Sequence, residues 1–127
     1  MSEFPFATFR IELGPAKRLG PGKIRLLELV GELGSISAAA RAMEMSYRRA
    51  WLLIEASNGL FGGPLVASST GGSGGGGAKL TPLGVNVIAA YRAMEEEAAR
   101  LVARHLAKFP GVAVSRSAAS ARRSKPP

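Results

Sequence analysis

Hydrophobic and polar positions along the 127-residue chain change period several times, and each change marks an element. Residues 7–13 alternate, with Phe9, Ile11 and Leu13 on one side and Arg10 and Glu12 on the other, the pattern of a short strand. Gly14-Pro15 interrupts it, and Leu19-Gly20-Pro21-Gly22 marks a turn. Between Lys23 and Leu33, Ile24, Leu27, Val30 and Leu33 recur at helical spacing, with Gly34 placed to end the helix in a left-handed conformation. Residues 35–59 read as two more helices around a tight corner. Ser37 is expected to cap the first, which runs through Met43, and its alanines let a second helix approach closely. Glu44-Met45-Ser46 breaks the run, with Met45 as an apolar plug and Ser46 as the next cap. The following helix, Tyr47 to Ser57, turns Ala50, Leu53 and Ile54 inward.

Gly59 to Pro64 closes that helix. Two brief strand-like runs, Leu65 to Ala67 and Ala78 to Thr81, flank residues 68–77, which hold six glycines. Such a stretch cannot pack a core, so it is expected to form the mobile tip of a hairpin. From Pro82 a new stripe begins, with Thr81 as cap and Pro82 in the first helical position. Leu83, Val87, Tyr91, Met94, Ala98 and Leu101 recur at steps of three and four. A helix to about Leu106 would span ~38 Å at 1.5 Å per residue. That is more apolar face than one small core covers, so Val87, Tyr91, Met94, Ala98 and Leu101 are expected to meet a second copy. Glu95, Glu96 and Glu97 fall on the wet side, within helical pairing distance of Arg92, Arg100 and Arg104. The expected fold is therefore mainly α with a small β-hairpin, a winged helix-turn-helix with a long C-terminal dimerisation helix. Residues 1–108 form that domain, with the long helix starting at about 82, and 109–127 form a disordered basic tail.

Charge then narrows the function. Lysine and arginine number 17 against 9 acidic residues, a net charge of +8. Residues 108–127 hold five of the basic residues and no acidic one, which leaves residues 1–107 at +3. The excess points to polyanions, nucleic acid above all. The absence of cysteine excludes disulfides, zinc–thiolate sites and cysteine nucleophiles. The start of the chain lacks the layout of a secretion signal, and no apolar run is long enough to cross a bilayer. A cytoplasmic protein with no membrane partner is expected.

An enzyme is not expected. The one histidine, His105, falls near the end of the long helix, and with no Asp and no Cys neither a triad nor most metal sites can be assembled. Residues 72–77 fit G-x-G-x-x-G only because five of the six are glycine, and Ala78-Lys79-Leu80 fails the Walker pattern. No cofactor and no metal are expected. The candidate chemistry is DNA binding. Ser46, Tyr47, Arg48 and Arg49 open the second helix-turn-helix helix, where side chains reach base edges in a major groove. Arg48 and Arg49 otherwise read as solvated charges. Trp51 reads either as a DNA-facing residue or as a core or dimer-interface residue with its indole N–H satisfied. Ser37 is placed to touch phosphate, and Ser73 with Lys79 to carry the wing to the flanking backbone. The tail would add salt-dependent affinity without sequence choice.

GSISAAARAMEMSYRRAW followed by TGGSGGGGAKLTPLG resembles the N-terminal DNA-binding domain of ModE-type molybdate-responsive transcriptional regulators. The Ser-Ile-Ser start, Ser46-Tyr47 with Ala50-Trp51, and the run from Thr70 through the glycines to Thr81 carry the match, over roughly residues 7 to 107. The resemblance implies a winged-helix homodimer on a palindromic operator, regulating molybdate transport or molybdenum-related genes. It also implies that molybdate is sensed by a separate C-terminal oxyanion-binding module, which this chain is expected to lack. A separate molybdate-binding protein is the partner that would replace it. Arg49 departs from the family pattern, which has a smaller residue there. The alternatives are a winged-helix protein-interaction module and a non-specific DNA-binding protein that uses charge alone.

Overall fold

A computed structural model describes residues 5–69 and 77–112. The first strand, β1 (Ile11–Gly14), pairs antiparallel with β2 (Lys17–Leu19), a hairpin that the alternation of residues 7–13 did not disclose. Its turn puts Ala16 in the left-handed region at φ 59°, a conformation usually announced by glycine or asparagine. An irregular register between Glu12 and Gly14 leaves Leu13 exposed, off the inward side expected for it. Ile11 faces Leu19, which is buried.

Helix α1 (Pro21–Leu33) begins on its proline and ends as expected: Gly34 has φ 71° and donates its N–H to the Val30 carbonyl at 2.8 Å. Its buried face is wider than one stripe, holding Leu26 and Leu29 as well as Ile24, Leu27 and Val30. Leu33, expected on that stripe, is exposed. Helices α2 (Ile36–Ala42) and α3 (Tyr47–Asn58) pack on α1 and on each other. Ala39, Ala40 and Ala50 are almost completely buried where these helices meet, because only a methyl separates the backbones. Each fully buried leucine or isoleucine in this core stabilises the fold by roughly 1.5–3 kcal/mol.

Strands β3 (Val66–Ser69) and β4 (Gly77–Leu80) form an antiparallel ladder with Val66 opposite Leu80 and Ala67 opposite Lys79. This is the wing. Its root is tied down by backbone bonds, Ala78 N–H to the Gly34 carbonyl at 3.0 Å and Thr81 N–H to the Leu65 carbonyl at 2.9 Å. The Thr81 hydroxyl caps α4 (Pro82–Leu106) by accepting from Gly84 N–H at 3.0 Å, and donates to the Pro64 carbonyl at 2.7 Å. The architecture is mainly helical with small antiparallel hairpins, a winged helix followed by a long helix.

Packing divides the chain into two units, Phe9–Ala89 and a second one formed by Met1–Thr8 with Ala90–Pro127. The first holds every element through the wing and the first two turns of α4. In the second, Tyr91 is fully buried, and burial together with the Glu95 carboxylate pushes its phenol above the ordinary value, against a smaller opposite effect of Arg92. Arg92 pairs with Glu95 at 2.6 Å, as their helical spacing predicted. Tyr91 was expected to meet a second copy, but it is already covered within the chain. Met94 and Leu101 remain exposed, and Val87 and Ala98 are half-buried. Residues 109–112, expected at the head of the tail, form turns with Phe109 N–H bonded to the Leu106 carbonyl. Tail residues 113–127 and the glycine tip with Ser73 lie outside the described residues.

Candidate nucleic-acid interface

The corner between α2 and α3 is built from two serine caps and one left-handed residue. Ser35, not Ser37, caps α2: its hydroxyl accepts from Ala38 N–H at 3.0 Å. The two serines offer the same chemistry two residues apart, and the helix starts two residues earlier than expected. Ser37 is instead exposed on the first turn of α2, where its hydroxyl accepts from an Arg41 guanidinium nitrogen at 3.1 Å. At the corner, Glu44 takes φ 56° and Met45 N–H reaches back to the Ala40 carbonyl at 3.0 Å. Met45 is half-buried there, in keeping with a plug. Ser46 caps α3 as expected, its hydroxyl accepting from Arg49 N–H at 3.1 Å.

That cap fixes where the first turn of α3 points. Ala50, Ile54 and Ser57 are buried, so Tyr47, Arg48, Arg49, Trp51 and Leu52 are turned outward. Tyr47 is 55% exposed and Trp51 42%, which takes Trp51 out of the core. Among the described residues, no ion pair engages Arg48, Arg49 or Lys79. Two uncompensated guanidiniums thus stand on one exposed turn, with a phenol beside them. Ser46, Arg48 and Arg49 line one shallow depression with Leu52 and Leu53.

The other flank of α3 faces the wing across a groove of about 400 Å³. Ser37, Tyr47, Trp51, Glu55 and Asn58 line one side of it, and Ser68 and Ala78 the other. Ser37 is therefore brought together with Tyr47 and Trp51. Lys79 is exposed on β4 and is not part of that groove lining. Asn58 is the residue that holds the two sides together. Its side-chain oxygen accepts from Leu65 N–H at 2.8 Å and Val66 N–H at 3.0 Å, and its amide donates to the Val66 carbonyl at 3.3 Å.

Sequence reasoning missed Asn58, Leu52 and Glu55. Leu52 could have been found by drawing the helix from its buried residues, since it lies opposite Ala50 and Ile54, and Glu55 falls on the flank it shares with Trp51. Asn58 gave no local signal, because its partners are seven and eight residues away. Among the described residues no group of three or more metal-ligating side chains occurs, and no helix is long and apolar enough to cross a membrane.

Comparison with known proteins finds relatives that are named as molybdenum-binding, molybdenum-transport or regulatory proteins. The chain is 47% identical over 85 residues to the molybdenum-pterin-binding protein MopB of Rhodobacter capsulatus, covering 67% of this chain and 32% of that one. It is 39% identical over 84 residues to the molybdenum transport protein ModE of Herbaspirillum seropedicae, covering 66% and 31%. The DNA-binding transcriptional dual regulator ModE of Escherichia coli K12 is 44% identical over 71 residues, 56% of this chain and 27% of that one. Its relatives are ModE-like proteins. The chain spans about a third of the length of these curated relatives. No family model matches it.

Proposed function

We propose that this chain is a ModE-type transcriptional regulator that binds a palindromic DNA operator as a homodimer and controls molybdate-transport or molybdenum-related genes. The observation that carries this reading is the first turn of α3, where Arg48 and Arg49 stand exposed beside Tyr47 with no ion pair among the described residues. A buried core face and a serine cap set the direction of that turn, so its backbone is already aimed for a major groove. Ser37 meets phosphate from the start of α2, and Lys79 meets the flanking backbone from the wing. Met94, Ala98 and Leu101 on α4, with Val87 nearer its start, meet the second copy. The charge balance and the relatives named as regulators support the same reading.

Selection of bound fragments from the source genome by the purified chain, with and without molybdate, tests it. Enrichment of a palindrome beside molybdenum-transport genes is the expected result. Enrichment elsewhere removes the molybdenum assignment and keeps the DNA-binding mechanism. No enrichment overturns the DNA-binding reading. A molybdate-dependent change in the enriched set would assign the response to this chain, and its absence would leave either a separate molybdate-binding partner or no molybdate response.

A further inference from the structure

Not every outward residue of α3 is polar. Leu52 is 47% exposed, on the opposite side of the helix from the buried Ala50, Ile54 and Ser57. A lone exposed leucine is ordinary on a protein surface. Leu52 is not alone: Tyr47 and Trp51 are exposed on the same twelve-residue helix, and Arg48, one turn before Leu52, lines the same shallow depression. An apolar residue among the exposed Arg48, Arg49 and Glu55 side chains of an outward helix face has a narrow set of partners. If that face enters a major groove, Leu52 can neither donate nor accept a hydrogen bond there. Among unmodified base pairs, the one apolar group on a major-groove edge is the C5-methyl of thymine.

We propose that Leu52 is a specificity-determining residue that reads a thymine methyl in the operator. The proposal rests on the DNA-binding reading above. Arg48 and Leu52 are four residues apart, about 6 Å along the helix axis. With about 3.4 Å per base along a strand, the methyl read by Leu52 lies roughly two base steps from the base facing Arg48. The site therefore pairs a polar contact with an apolar one at fixed separation. A wrong base beside Leu52 is rejected because it leaves the side chain facing a polar edge without a partner.

The test replaces each thymine of the selected operator, one at a time, by deoxyuridine, which removes only the methyl. Affinity of the full chain is measured by fluorescence anisotropy. At one thymine per half-site, loss of the methyl is expected to weaken binding about threefold to fivefold, the worth of one buried methyl group. Leu52→Ala, an exposed change to a better helix former, is expected to bind both duplexes equally. The proposal is overturned if no deoxyuridine position weakens binding, or if Leu52→Ala keeps the thymine preference. If selection yields no preferred duplex, the DNA-binding reading fails first and takes this one with it.

Discussion

Asn58 and Val66 are joined by two hydrogen bonds of opposite direction, the Asn58 oxygen accepting from Val66 N–H at 3.0 Å and its amide donating to the Val66 carbonyl at 3.3 Å. With the bond from Leu65 N–H, they fasten the last turn of α3 to the first residue of the wing. Asn58→Ala would leave two part-buried backbone amides without an acceptor. It is expected to cost about 2 kcal/mol in urea unfolding at neutral pH. Asn58→Asp keeps the acceptor and loses the donor, so a smaller loss is expected. Equal losses would show that the acceptor bonds contribute nothing.

At Gly84 it is α4 that approaches the wing root closely. A Cβ there would lie 2.3 Å from the Leu65 carbonyl oxygen, which is itself held by Thr81. Gly84→Ala is expected to destabilise by about 1–3 kcal/mol through displaced backbone. Gly22, also helical, has nothing within 4 Å of its Cβ position. Gly22→Ala is expected to be neutral or to stabilise by up to ~1 kcal/mol. Thermal unfolding of the pair separates close packing from helix propensity, and equal behaviour would remove the packing argument.

Glu44 carries the corner of the helix-turn-helix in a conformation that costs an L-residue roughly 1–2 kcal/mol. Glu44→Gly relieves that strain and adds backbone entropy to the unfolded chain, so a net change within about 1 kcal/mol is expected. Glu44→Val places a β-branched residue at the same φ and is expected to lower the unfolding midpoint clearly. A valine variant as stable as the glycine variant would contradict the left-handed corner.

Tyr91 should ionise above the 10.0 of a free tyrosine, chiefly because burial disfavours the phenolate and secondarily because Glu95 repels it. A raised folded value means that its stabilising contribution is complete below pH 10 and is lost as pH rises through the folded value. Ultraviolet titration should show a late tyrosine phase that Tyr91→Phe removes. The Phe variant should also lose less stability than the parent chain above pH 10. A late phase that persists in Tyr91→Phe would place the buried phenol elsewhere.

Arg48→Ala is expected to weaken operator binding by ~1–3 kcal/mol if the guanidinium reads a base. Anisotropy on operator and unrelated duplexes distinguishes the contact types. Loss on the operator alone marks base reading, and equal loss on every duplex marks a phosphate contact.

Much of this fold was legible in the chain because its signals are local. Gly34, Ser46 and the Thr81-Pro82 pair mark their helix ends within three or four residues, and α4 follows its stripe to Leu106. The β1–β2 hairpin was hidden because its left-handed turn residue is Ala16, which carries no turn signature. Ser37 was mistaken for the cap because Ser35 offers the same hydroxyl. Tyr91 lay on a correctly drawn stripe, but a stripe does not say whether the chain itself or a second copy covers each position. Arg48 and Arg49 were placed on the outward first turn of α3 by type and position, and they are exposed there. Leu52 was not so placed, since an exposed apolar residue looks in sequence like one more core position.

The wing root is held by bonds that all lie below Ser69 and Gly77: Ala78 to Gly34, Asn58 to Val66, and Thr81 to Pro64 and Leu65. It works as a socket, closed on its own account and indifferent to what is mounted in it. Lengthening the segment between those two residues adds a closure cost that grows only with the logarithm of its length, about 0.6 kcal/mol per doubling. A fluorescent label, a recognition peptide or a longer basic loop can therefore be grafted there while α3 keeps its aim.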